Sequence, residues 1–114
     1  MRRGDVYDAR LGPTEGSEPA GFRPVMIVSR DSISANLPIV VVVPCTSLRR
    51  GRRPYPSRVT LRAPEGGLDV DSVALCEQVR VLAKSRLLRQ RGSLSPRAVA
   101  QVDRALLIAL DLPG

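Results

Sequence analysis

The order of apolar and polar positions along these 114 residues switches between strand-like and helix-like spacing several times. "DVYDARL", Asp5 to Leu11, sets β-prone Val6 and Tyr7 ahead of Gly12-Pro13, which predicts a short first strand closed by a turn. A polar, glycine-punctuated loop, Thr14 to Arg23, leads into "PVMIVSR", where apolar residues run together from Pro24 as in a strand covered on both faces. "DSISAN", Asp31 to Asn36, fits one helical turn or an irregular connection. "PIVVVVPC" predicts a central strand that Pro44 is expected to end. The Arg, Gly and Pro residues of Thr46 to Arg58 predict a flexible basic loop, after which "VTLRA" returns as a strand and "PEGGLDVD" as a turn.

Ser72 to Leu82 reads as one strand, with Val73, Leu75, Val79 and Val81 on one face and Ala74, Cys76, Gln78 and Arg80 on the other. Glu77 breaks the apolar face, so either a bulge rotates the strand or the carboxylate has a partner. "AKSRLL" fits a brief helical turn ended by Gly92. A last helix starts with Ser95 as N-cap and Pro96 in its first position; Val99, Val102, Leu106 and Leu110 follow at helical spacing, with Arg97, Gln101 and Arg104 on the wet side. About five strands and one C-terminal helix suggest a mainly β (α+β) fold, a small curled antiparallel sheet or barrel in one domain spanning residues 1–114.

Composition narrows the setting. The longest apolar run, Leu37 to Val43, contains Pro38 and falls far short of the roughly 20 residues that cross a bilayer, so no membrane association is expected. "MRRGDVYDARLG" lacks the apolar stretch of a secretory signal, which makes a cytoplasmic location the expectation. Cys45 and Cys76 sit in apolar, strand-like segments and read as buried thiols rather than a disulfide. Net charge is +7, and Lys84 is the one lysine beside 17 arginines. A guanidinium grips phosphate bidentately and stacks on bases, so nucleic acid is the leading partner class.

The chain has no histidine, which excludes Ser-His-Asp, Cys-His and paired-imidazole chemistry. Two distant cysteines without histidine do not meet zinc spacing, no carboxylate cluster suggests magnesium, and no P-loop pattern is present; no cofactor is expected. Glu18, Arg23, Thr46, Ser47, Gln78 and the arginine-rich loop remain. If the strands flanking Arg23 and Thr46 are antiparallel neighbours, both side chains share one rim, where the loop carrying Ser17 and Glu18 also ends. A cation, a hydroxyl and a carboxylate suffice to strain an RNA phosphodiester, because RNA carries its own nucleophile in the 2′-hydroxyl. Taken singly, each residue has an ordinary reading: Arg23 as a surface or salt-bridged arginine, Thr46 as a turn residue, Glu18 as solvated loop, and Gln78 as a bridge at a sheet edge.

"RGDVYDARLGPTEGSEPAGFRPVMIVSRD", then Asn36, "VVVVPCTS", "GLDVDSVALCEQVRVLAKSRL" and the final helix together resemble the MazF/PemK toxin family over nearly the whole chain. The resemblance implies an SH3-like β-barrel with added helices. It also implies a homodimeric, metal-independent endoribonuclease that cuts single-stranded mRNA at short sequences, leaving a cyclic phosphate and a 5′-hydroxyl. By the same resemblance Arg23 and Thr46 are catalytic with Glu18. Ser17, Phe22, Asn36, Ser47 and Gln78 line the RNA path, and Leu48 to Pro56 is a basic hairpin loop bearing Arg49, Arg50, Arg52, Arg53 and Tyr55. A MazE-like antitoxin, acidic and partly disordered, would cover that groove, and operator DNA would be reached only through the antitoxin. The same fold also serves CcdB-like toxins that bind gyrase and cut nothing, and a non-catalytic RNA-binding module is a third reading. With no tryptophan, base stacking falls to Phe22, Tyr7 and Tyr55, so tight phosphate binding with modest selectivity is expected.

Overall fold

Apolar residues on alternate positions of the strands divide between the two faces of one sheet, and that division organises the molecule. The computed structural model describes residues 1–12, 21–50 and 53–114. Along them run β1 (Asp5–Arg10), β2 (Phe22–Ile27), α1 (Asp31–Asn36), β3 (Ile39–Ser47), β4 (Arg58–Leu61), β5 (Ser72–Leu75), β6 (Arg80–Ala83), β7 (Leu87–Ser93) and α2 (Pro96–Ala109). Single 3-10 turns lie at Glu65–Gly67, Cys76–Gln78 and Lys84–Arg86. The strands pair antiparallel in the order β4-β5-β3-β2-β1-β7, with β6 also on β3. The path does not close, so the expected barrel is an open, barrel-like sheet with a C-terminal helix.

On one face Met26, Val43, Cys45 and Ala74 pack with Ala98, Val102 and Ala105 of α2. On the other, Ala9, Val25, Ile27, Val40, Val42 and Leu82 form a second cluster, covered in part by Tyr7 and Leu87. Tyr7, named above as a stacking ring, is thus partly buried against this cluster. Ser95 caps α2 by accepting from Ala98 N at 3.2 Å, with Pro96 in the first turn. Val99 and Leu106 pack inward, but the helix stops at Ala109, and Leu110 is half exposed as its C-cap.

The pattern misplaced several boundaries. β2 begins at Phe22, so Arg23 is a strand residue, and β3 runs through Pro44 to Ser47. Pro44 is tolerated because β6 pairs with β3 only as far as Val42 and β5 starts at Cys45. Between them stands the 3-10 turn Cys76–Gln78, with no ladder residue opposite the proline on that side. The same turn divides the expected strand Ser72–Leu82, leaving Val81 exposed and Leu82 buried. Gly92 ends no helix; it lies inside β7 opposite Val6, where a Cβ would stand 3.0 Å from the Gly66 backbone. Polar β7 is held to β1 by cross-strand partners: Arg89 and Arg91 reach Asp8, and Ser93 reaches Asp5. Among the described residues no helix is long and apolar enough to cross a membrane.

Candidate functional site

The β2–β3 ladder sets Val25 opposite Pro44, Met26 opposite Val43 and Ile27 opposite Val42. Prolonging that register by two residues puts Arg23 opposite Thr46. Arg23 is held in place from its other side by Ala9 of β1, and Thr46 by Val73 of β5. By strand alternation both lie on the face of Val25 and Val42, away from α2, at the end of the sheet where β2 starts and β3 finishes. The ladder itself ends at Val25–Pro44, so the guanidinium and the hydroxyl face the same side of the sheet just past the point where the two strands stop pairing.

Arg23 is half buried, and its Nε is enclosed without a hydrogen-bond partner among the described residues. Leaving a desolvated donor unpaired costs about 1–3 kcal/mol. An oxyanion meeting that N–H recovers the loss, and a guanidinium offers a second parallel N–H beside it.

Other predicted residues fall into three groups. Phe22, 70% exposed, and Ser47, opposite Ser72, share the rim with Arg23 and Thr46. Arg49 and Arg50 follow on the exposed turn after β3, neither in an ion pair among the described residues. Gln78 lies in the 3-10 turn beside β3, between the level of Val42 and that of Cys45. Asn36 does not join them: it sits at the opposite end of the nine-residue β3, roughly 27 Å along the strand, and its amide donates to Ser32 O at 2.8 Å. Ser17, Glu18 and Arg52 lie outside the described residues.

Tyr55 and Arg53 gather elsewhere, at the start of the edge strand β4. The Arg58 guanidinium lies 4.8 Å from the Tyr55 ring centroid and donates to Arg53 O at 3.2 Å. Glu77 accepts from Arg58 Nε at 2.8 Å and from Ser57 Oγ at 3.0 Å. Desolvation pushes the Glu77 carboxyl up, but Arg58, its own backbone N–H and Ser57 outweigh it and hold it below the usual range. Of the two alternatives raised for Glu77 the partner is realised; in place of a bulge, a 3-10 turn divides the expected strand. Residues 53–58 are anchored where a flexible loop was expected. The pattern did not single out Arg58, because its partner sits across two strands and 19 positions.

Cys45 and Cys76 are free, fully enclosed thiols, each pushed up to about 12 by burial. Neither has the thiolate character of a nucleophile. Among the described residues no group of three His, Cys, Asp or Glu is placed to hold a metal ion.

A family model described as "PemK-like, MazF-like toxin of type II toxin-antitoxin system" matches residues 2–110. The chain belongs to this family. Among PemK/MazF relatives it is 41% identical over 112 residues to the Endoribonuclease MazF of Staphylococcus saprophyticus, covering 98% of this chain and 92% of that one. It is also 41% identical over 117 residues to Endoribonuclease MazF9 of Mycobacterium tuberculosis, covering 98% of each. A solved mycobacterial endoribonuclease in complex with its cognate antitoxin superposes with a TM-score of 0.83 at 27% identity, over 100% of this chain and 98% of that one. MazF from Deinococcus radiodurans superposes with a TM-score of 0.80 at 27% identity, over 98% of this chain and 97% of that one.

Proposed function

We propose that this PemK/MazF-family chain is an endoribonuclease toxin that cuts single-stranded mRNA by attack of the 2′-hydroxyl and is silenced by an acidic antitoxin. The reading is supported by the β2–β3 register, which prolonged by two residues sets Arg23 level with Thr46, and by an Arg23 Nε that has no hydrogen-bond partner among the described residues. In the reaction the 2′-oxygen bonds to phosphorus and the bond to the 5′-oxygen breaks. This gives a 2′,3′-cyclic phosphate and a 5′-hydroxyl. Arg23 meets the charge growing on the non-bridging oxygens, and Thr46 donates a hydrogen bond to one of them. Glu18 takes the 2′-hydroxyl proton, and a solvent water gives a proton to the departing 5′-oxygen. The nucleophile belongs to the substrate, so these steps require no metal-bound water.

The basic surface with exposed Arg49 and Arg50 suits both the RNA backbone and a negatively charged antitoxin segment, and a mycobacterial endoribonuclease of the same fold was solved in complex with its cognate antitoxin. A homodimer completes the reading by extending the groove over two copies. The test is incubation of purified protein with single-stranded RNA in excess chelator, followed by mapping of the cut ends. Cyclic-phosphate and 5′-hydroxyl ends, lost in Arg23→Ala without loss of the fold, are the expected result. Complete inhibition by chelator, or near-parental cutting by Arg23→Ala, would sink the proposal.

A further inference from the structure

One hollow at the rim has no part in the scheme above. It is a wide-open depression of about 780 Å³ with Leu48, Ala63 and Val70 as apolar walls, Asp69 and Asp71 as acceptors, and Ser47 at its edge. Ser47 follows Thr46 directly and pairs with Ser72, so the hollow opens at the same end of the sheet as Arg23 and Thr46, with the Ser47 side chain turned by strand alternation to the opposite face. Val70 is 56% exposed although the ordered turn around it is pinned at both sides. Leu48 N donates to Asp71 O at 2.9 Å, and Asp71 accepts from Ala63 N at 2.9 Å and from Arg62 Nη1 at 3.0 Å. Asp69 Oδ2 accepts from Arg91 Nη1 at 2.8 Å. Arg62 and the Ala63 N–H hold the Asp71 carboxyl below its ordinary range, so it stays an acceptor at neutral pH.

Resting on the RNA-cleaving reading, we infer that this hollow is a base-selecting subsite for the nucleotide next to the scissile linkage, favouring bases with an exocyclic amino group over uracil. The dimensions fit: small-ligand sites of about 300–1,000 Å³ are mostly apolar with a few fixed polar groups. An unstacked RNA base is read by its Watson–Crick edge once splayed out of the strand. The edge here is acceptor-only, since carboxylates already engaged by Arg62 and Arg91 still have lone pairs to offer. The amino group of cytosine, adenine or guanine donates to such an edge. Uracil turns two carbonyl oxygens toward it and one N–H. Arg49, which also lines the hollow, is placed to take the phosphate of the same nucleotide. Selectivity at this one position exceeds the modest level expected from the shortage of aromatic rings.

The test has two arms. In the first, the methyl resonances of Leu48 and Val70 are followed while short 2′-deoxy-substituted oligonucleotides carrying cytidine or uridine at the position beside the cut are added. Saturable shifts about tenfold tighter with cytidine are expected. No movement of either residue, equal response to the two bases, or shifts that depend on protein concentration without oligonucleotide would overturn the inference, the last by giving the face to a second copy. In the second arm, cut sites in a randomised RNA are mapped for the parent, Asp69→Asn and Val70→Trp. Loss of the preference at one position in both variants, with the other positions unchanged, supports the subsite; an unaltered motif in both overturns it. A parent that shows the base-selective shifts and cuts nothing counts against the nuclease reading alone.

Discussion

Replacing Glu77 by alanine isolates the contact that anchors the start of β4. The carboxylate accepts from Arg58 Nε and lies 2.8 Å from Nη2, and Ser57 Oγ adds a third partner at 3.0 Å. A hydrogen bond to a charged group contributes about 1.5–3 kcal/mol when well desolvated, whereas an exposed ion pair contributes about 0.2–1 kcal/mol. The side chains here are 22% and 31% exposed, which places the pair between those limits. Glu77→Ala is therefore expected to cost about 1.5 kcal/mol, or roughly 5–10 °C in Tm for a domain of this size, read by circular dichroism. In a double-mutant cycle with Arg58→Met, about 1 kcal/mol of coupling is expected, because removing both partners leaves no buried charge behind. The folded carboxyl is held below its ordinary range despite desolvation. Its stabilisation is thus complete above the unfolded value of about 4.3 and lost as pH falls through the folded one. The gap between parent and variant should close in acid. A gap that persists unchanged from pH 7 to about pH 3, or a cycle without coupling, would refute the assignment.

Three further outcomes follow. Thr46→Val keeps the shape of the strand residue opposite Val73 but removes its hydroxyl; RNA cutting should fall about 100-fold with Tm unmoved, as for loss of one donor to a developing oxyanion. Gly67 has φ +74°, and a Cβ there would stand 2.2 Å from the Arg91 carbonyl oxygen. Gly67→Ala should lose about 3 kcal/mol or more in urea unfolding, through left-handed strain and displacement of β7. Cys45 and Cys76, raised to about 12 by burial, should resist alkylation at pH 8 in the native protein and label together once it is unfolded, as mass spectrometry would show.

Elements with a dense apolar signal were legible. The β-branched run from Ile39 and the capped helix from Pro96 appear where the pattern put them, because burial alone decides them. β7 was not legible: after Leu87 and Leu88 it runs Arg, Gln, Arg, Gly, Ser, and what holds that polar part is a set of partners on β1 more than 80 positions away. The break at Cys76–Gln78 was hidden too, since Glu77 declared an irregularity without saying which kind. At the site, Arg23 and Thr46 could be paired from strand order, but Tyr55 and Asn36 could not be separated from them. Their distance depends on which edge β4 occupies and on β3 extending nine residues. The hollow beside Ser47 left no mark on the sequence, being made by two turns that meet only after β3, β4 and β5 have paired.

β3 ties these observations together by changing neighbours along its length. It pairs with β6 through Val42, with β2 from Val42 to Pro44, and with β5 from Cys45 to Ser47. Past Pro44, Thr46 is held by β5 while Arg23 is held by β1, and no ladder pair joins the two. The cationic and the hydroxylic side chain are thus each fixed by a different half of the sheet. Groups held in this way need little reorganisation when charge develops beside them, which is where a preorganised site gains most. The outer neighbour of the same strand end, β5, begins at the turn bearing Val70 and Asp71. In the proposed scheme, phosphate grip and base choice would therefore fall on adjacent sides of Thr46 and Ser47. A change at Val70 should lower cutting of the preferred sequence toward that of the disfavoured ones, which stay within about threefold, whereas a change at Thr46 should lower every rate alike.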